Sequence, residues 1–220
     1  KVVYETFDSN EIMYTKYVSG NSYDIMVPSE YMIERLIKEE CLQPIDKSIV
    51  SNVDNINKGI LGQSFDPNND YWVPYFCGNV GILYDKTVVD EKDLEAGWSI
   101  LRNTKYKNQI YMYDSERDSF MVALKALGYS MNTTKEREIN EAYQWLLEQR
   151  EEMNPVYVGD ESIDTMISGV KAMAIMYSGD AAAVMSENPN MGYYMPKEGT
   201  NVWFDGFVIS KECKNTKLAN

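Results

Sequence analysis

The sequence predicts an α/β fold with largely parallel sheets, and three observations carry the prediction. Short apolar, β-branched segments alternate along the chain with segments whose apolar residues recur every three to four positions, the pattern of strands feeding helices. Capping residues, glycine or proline punctuate several of the junctions. Polar and aromatic residues also collect just after the strand-like segments, and open α/β sheets place ligands beyond the carboxyl ends of their strands. At 220 residues, the chain can form one domain or two lobes.

In order, residues 1–7 (KVVYETF) read as a strand, and Ser9 or Asn10 caps a following helix that Gly20 closes. Residues 23–29 (YDIMVPS) form a short apolar strand stopping at Pro28 and Ser29. The next helix carries Met32, Ile33, Leu36 and Ile37 on one face and runs until Pro44. Residues 52–70 are a polar connector with turn chemistry at Asp66-Pro67-Asn68-Asn69. The aromatic, β-branched run 71–85 is broken by Pro74 and Gly78 and reads as two consecutive strands. Residues 108–114 are a strand, and Asp114 or Ser115 caps a helix that Gly128 ends. Thr133 and Glu136 stand at capping-box spacing before a long amphipathic helix. A short helix at 162–169, an apolar strand at 171–179, a helix at 180–188 and strands at 191–196 and 201–210 complete the chain.

Lys and Arg number 21 against 34 Asp and Glu, a net charge of −13. That balance argues against nucleic acid or an anionic membrane surface as partner. No run approaches eighteen apolar residues, so no membrane span is expected. With no histidine, Ser-His-Asp, Cys-His and zinc chemistry in their usual forms are excluded. GxGxxG and GxxxxGK[ST] are absent as well. Cys41, Cys77 and Cys213 are too scattered for a disulfide framework or a metal site and read as buried free thiols. No cofactor is expected. What stands out is aromatic: 17 Tyr and 4 Trp in an acidic chain.

Within TNVWFDGFVI, residues 200–209, strand periodicity puts Trp203 and Asp205 on one face and Val202, Phe204 and Gly206 on the other. A carboxylate in such a strand needs a partner. Either it makes a structural ion pair or turn contact, or it waits beside an indole for an organic ammonium, which both groups attract.

The stretches YDIMVPSEYMIERLIKEECLQPIDKS, FDPNNDYWVPYFCGNVGILYD, ALKALGYSMNTT and PKEGTNVWFDGFVISKECKNTKLA together resemble the spermidine/putrescine-binding proteins of ABC importers, a polyamine-binding branch of the bacterial extracytoplasmic solute-binding proteins. The series VPS-x-Y, FDPNN-x-Y-x-VPY and PKEG-x-x-x-W-x-D carries the resemblance. It implies a two-lobe, type II periplasmic-binding-protein-like fold whose lobes are joined by hinge-crossing strands and close on the ligand. The crossings fall near 80–81 and 203–205. Lobe one is then 1–79 with a return over about 206–220, and lobe two is 80–205. The resemblance also implies that the chain is an internal stretch lacking roughly a quarter to a third of the family's length.

Family ligand contacts carry over to Ser29 and Tyr31 after the first-lobe strand and to Asp118, Tyr177, Trp203 and Asp205, assigned to the second lobe. Asp205 and Asp118 would neutralise separate amines. Trp203, Tyr177 and Tyr31 would sandwich the methylene chain, and Ser29 would be a neutral hydrogen-bonding group. Where the family has an acidic pair followed by Arg-Glu, this chain has DSERD: Ser115 replaces the second acid and Asp118 the glutamate, with Asp114 or Glu116 available to compensate. Tyr177 stands for a tryptophan, as does Cys77. These changes bear on polyamine choice more than on class. The implied role is non-enzymatic and extracytoplasmic, periplasmic or cell-surface anchored: capture of spermidine or putrescine and presentation to the permease subunits of an ABC transporter. The alternatives are a binding protein for another small cationic or neutral solute, or a glycosidase built on a carboxylate pair.

Overall fold

In a computed structural model, which describes residues 2–159 and 161–220, the chain divides into two compact units. The first comprises Lys1–Cys77 and Trp203–Asn220, the second Gly78–Val202.

The first unit opens with α1 (Asn10–Val18), capped by the Ser9 side chain, which accepts from the Ile12 N–H, and closed at Gly20 with φ +101°. Residues 2–7 take no regular form. Val2, Val3 and Tyr4 are more than four-fifths exposed, so β propensity alone does not make the expected strand without a ladder to join; Lys1 lies outside the described residues. Then come β1 (Ile25–Met26), α2 (Glu30–Lys38) and β2 (Leu42–Gln43). The α2 face buries Met32, Ile33 and Leu36. The helix stops well before Pro44, because Glu40 turns left-handed at φ 55°. The connector folds around the buried carboxylate of Asp66, which accepts from the N–H groups of Asp70 and Tyr71 at 3.0 and 2.8 Å. It leads into β3 (Trp72–Gly78).

The last strand of this unit's sheet is β9 (Trp203–Ser210), after which α8 (Thr216–Ala219) follows. Strand β9 lies between β1 and β2, antiparallel to both, and also pairs with β3. Its inner face follows the alternation read from the sequence. Phe204 meets Trp72 edge-on, with ring centres 6.3 Å apart, and Val208 joins Met26, Ile33 and Leu36 in the core. Gly206 is required there, since a Cβ would fall 2.4 Å from the Trp72 ring.

The second unit begins with β4 (Val80–Asp85) and continues through α3 (Glu91–Leu94), β5 (Ile110–Tyr113), α4 (Glu116–Ala126), α5 (Glu136–Met153), β6 (Val156–Val158), α6 (Ser162–Ile167), β7 (Met173–Tyr177), α7 (Ser178–Glu187) and β8 (Met191–Tyr194). Its sheet has the order β6-β5-β7-β4-β8. Strands β6 and β7 run parallel to β5, and β4 is antiparallel to its neighbours β7 and β8. The core on one side holds Ile82, Trp98, Ile110, Met112, Val122 and Ile175. A second cluster holds Leu83, Met166, Ala174, Met176 and Val184.

The largely parallel expectation is therefore corrected in a definite way. Strand–helix–strand crossovers keep β1 with β2, and β5 with β6 and β7, running the same way. In each sheet a strand beside a crossing between units, β9 or β4, runs against them. Two local expectations also change. Thr133 makes no capping box: its hydroxyl donates to Glu138 at 2.5 Å, while Lys135 stands at the N-cap of α5 without a side-chain cap. Of the three thiols, only Cys213 is buried; Cys41 is half-buried and Cys77, on β3, is exposed.

Candidate functional site

Three strand ends deliver candidate residues to helix starts. Ser29 precedes α2, Ser115 precedes α4, and Tyr177 both ends β7 and precedes α7. Ser115 caps in the ordinary way, its oxygen accepting the Asp118 N–H at 3.3 Å. Ser29 does not: no side-chain cap bond forms at α2.

Its hydroxyl is engaged elsewhere. Just beyond β1, Gly206 N–H donates to the Pro28 carbonyl and Ser29 bridges Asp205 in antiparallel register. Backbone pairing thus sets the two side chains together, and Ser29 Oγ donates to Asp205 Oδ1 at 2.7 Å. Burial pushes the Asp205 carboxyl above its ordinary value, with the Ser29 hydroxyl partly offsetting it. A carboxylate in this state gains most from an incoming cation. Trp203 is half-buried at the start of the same strand. The intervening Phe204 N–H donates to Glu30 Oε2 at 3.0 Å. Tyr31, in the first turn of α2, donates its hydroxyl to Glu11 Oε1 at 2.9 Å. Ser29 and Asp205 are therefore directly bonded, whereas the hydroxyl of Tyr31 is turned to α1.

Strand β9 belongs wholly to the first unit, and the second crossing falls between Val202 and Trp203. Trp203 and Asp205 therefore stand in the first unit and not in the second lobe: residues 208–210 of their strand pair with β1 and β2, and Asp205 itself bridges Ser29.

In the second unit, Asp118 lies in the first turn of α4 and is 6% exposed. Its Oδ2 accepts the Tyr177 hydroxyl at 2.8 Å, and its Oδ1 accepts Asn201 Nδ2 at 3.4 Å. The Tyr177 ring stacks on Tyr113 with centres 4.5 Å apart and planes 25° off parallel, and its N–H donates to the Tyr113 hydroxyl at 3.0 Å. Asp118 and Tyr177 are thus brought together. Asp114 and Glu116 are exposed and, among the described residues, stand outside the bonds that hold Asp118. Ser115 contributes its oxygen to the cap.

Four further residues shape these clusters: Asn10, Glu30, Tyr113 and Asn201. Asn10 carried a faint signal, an asparagine beside a serine that already caps the helix. Asn201 and Tyr113 carried none, because the contacts with Asp118 and Tyr177 span 83 and 64 residues. Among the described residues, no cluster of three or more potential metal ligands occurs, and no helix is long and apolar enough to cross a membrane.

A family model described as bacterial extracellular solute-binding protein matches residues 21–220. The spermidine/putrescine-binding periplasmic protein of Salmonella typhimurium is 35% identical over 225 aligned residues, covering 100% of this chain and 63% of that protein. The chain thus spans somewhat under two-thirds of that relative's length. Among solved structures, a Listeria monocytogenes protein assigned to a spermidine/putrescine ABC transporter is 38% identical with a TM-score of 0.93, covering 100% of this chain and 67% of that one. The substrate-binding protein PotD of a spermidine/putrescine ABC transporter from Streptococcus pneumoniae is 40% identical with a TM-score of 0.81 at the same coverage. The fold is that of the type II periplasmic-binding proteins. On the family match across residues 21–220 and the identity across the whole chain, this protein belongs to the bacterial extracellular solute-binding proteins.

Proposed function

We propose that this chain captures a linear polyamine, spermidine or putrescine, outside the cytoplasm and serves the permease subunits of an ABC importer. The observation that supports the reading best is the pairing of each acid with a hydroxyl and aromatic surface. Asp205 is bonded to Ser29 on the strand that carries Trp203, and Asp118 is bonded to Tyr177, which stacks on Tyr113. Each set offers one ammonium group a full negative charge, further oxygen acceptors and a π face. A diamine carries one cation for each set and a triamine one more, on apolar methylenes that suit the rings. The likeness to proteins named for spermidine and putrescine supports the same ligand class.

The role asks for no bond making or breaking, and it calls for no cofactor or metal. Ser29, Tyr31, Trp203 and Asp205 form the first-unit contacts and Asp118 and Tyr177 the second-unit contacts; Ser115 supports Asp118, and Asp114 and Glu116 are peripheral. Isothermal titration calorimetry with spermidine and putrescine, against glutamate and maltose, tests the reading. Saturable heat with a polyamine alone, weaker at higher salt, is expected. Binding of glutamate or maltose instead, or no heat with any of the four, would overturn the assignment.

A further inference from the structure

Asn10 sits on the first turn of α1, where Ser9 already supplies the cap. Its side chain instead makes two bonds to one residue. The Ser29 N–H donates to Asn10 Oδ1 at 3.0 Å, and Asn10 Nδ2 donates to Ser29 Oγ at 3.1 Å. A backbone N–H can only donate, so the amide oxygen must face it. The amide nitrogen then faces the hydroxyl, and Ser29 Oγ must accept from it. A serine hydroxyl has one proton. With Asn10 occupying one lone pair, that proton goes to Asp205 Oδ1, 2.7 Å away.

We propose that Asn10 is a positioning residue for the candidate cation site: by clamping Ser29 it commits the serine proton to Asp205 and leaves Ser29 and Asp205 with acceptors alone. What remains for a ligand is the second lone pair of Ser29 Oγ and the unshared positions on the Asp205 carboxylate. That pair of residues receives the N–H donors of an ammonium group and has no donor of its own for a carboxylate or a carbonyl. The clamp thereby deepens the polyamine reading, on which its bearing on ligand choice rests. The hydrogen-bond relay itself is independent of any ligand. Among the other ionisable groups on the elements around Asp205, Glu30 is bonded to the Phe204 N–H and Tyr31 to Glu11; Glu34 is paired with Lys38, Arg35 and Tyr14 are bonded to Glu39, Lys16 to Glu5 and Tyr17 to the Cys41 carbonyl, and β3, which pairs with β9, adds Tyr75 and Cys77.

The test is a ligand-free titration of the Asp205 side-chain carboxyl carbon by NMR, assigned with Asp205→Asn, in four forms: parent, Asn10→Ala, Ser29→Ala and the double variant. Alanine is a better helix former than asparagine, so α1 is retained, and circular dichroism confirms it. The relay predicts that Ser29→Ala raises the Asp205 midpoint by about one pH unit, the loss of a hydrogen bond to a charged group. Asn10→Ala raises it by a resolvable part of that, and the double variant titrates like Ser29→Ala, since Asn10 acts through Ser29. An unmoved midpoint in Asn10→Ala, or a double variant that sums the two shifts, overturns the proposal. In calorimetry, Asn10→Ala weakens polyamine binding about tenfold, the equivalent of one neutral hydrogen bond. If the relay titrates as described while the parent binds no polyamine, it is the functional reading that fails.

Discussion

Replacing Asp205 by asparagine separates two things that the fold holds in tension. Asparagine has the same shape and keeps an Oδ1 to accept the Ser29 hydroxyl at 2.7 Å, so packing against β1 and α2 is unchanged and only the charge disappears. Burial raises the carboxyl's pKa in the folded state. The folded protein therefore holds more protons than the unfolded chain between the unfolded and folded values, and stability falls as pH rises through that window. Above it, the ionised carboxylate is a net cost to folding. Asp205→Asn removes the cost, so the variant is at least as stable as the parent at pH 7, and its advantage shrinks as pH drops through the Asp205 midpoint.

Binding moves the opposite way. Removing one partner of a desolvated charge pair costs about 2 to 5 kcal/mol, a fall in affinity of roughly 30- to several-thousand-fold. Thermal melts between pH 4 and 8, paired with spermidine calorimetry, read both effects from one preparation. Unchanged affinity, or a variant that melts below the parent at pH 7, would refute the reasoning that the carboxylate is retained for a cation rather than for the fold.

Other outcomes follow from the same geometry. An arriving ammonium favours the ionised form of Asp205, so in the pH range around its raised pKa polyamine binding releases protons, and it weakens as pH falls through that range; titrations in buffers of different ionisation enthalpy measure the protons directly. Tyr177→Phe removes the hydroxyl bonded to Asp118 at 2.8 Å while keeping the ring stacked on Tyr113, so polyamine affinity falls by about 1 to 2 kcal/mol and the ligand-free melting temperature falls as the buried carboxylate loses a donor. Gly206→Ala drives a methyl into Trp72 at 2.4 Å; urea unfolding should show a loss of about 1 to 3 kcal/mol, as overpacking does.

Much of this architecture was legible in the sequence because it rests on local signals. The α2 face, the Ser9 and Ser115 caps, the break between β3 and β4 and the turn at Asp66 each depend on neighbours within a few residues. What escaped depends on partners far along the chain. The reversed directions of β4 and β9 are set by where the chain re-enters each sheet, and no periodicity records that. KVVYETF has the composition of a strand but takes no regular form over residues 2–7. Thr133 and Glu136 have capping-box spacing, yet the hydroxyl prefers Glu138.

The candidate residues divide along the same line. Trp203 and Asp205 raised a question by strand periodicity alone, and the family resemblance named Ser29, Tyr31, Asp118 and Tyr177. The bonds Ser29–Asp205 and Tyr177–Asp118 join residues 176 and 59 positions apart, which only the fold reveals. Ser29, at the start of α2, gives its hydroxyl to Asp205 and makes no side-chain cap bond to the helix.

The central claim, two acids each awaiting an ammonium group, is tested most directly by a crystal structure of the protein grown with spermidine. The account predicts amine nitrogens at about 2.7 to 2.9 Å from the carboxylates of Asp205 and Asp118, the distance of charge-assisted hydrogen bonds, with Trp203 and Tyr177 against the methylenes. Spermidine seated elsewhere, or seated here with either carboxylate out of reach of an amine, would contradict it.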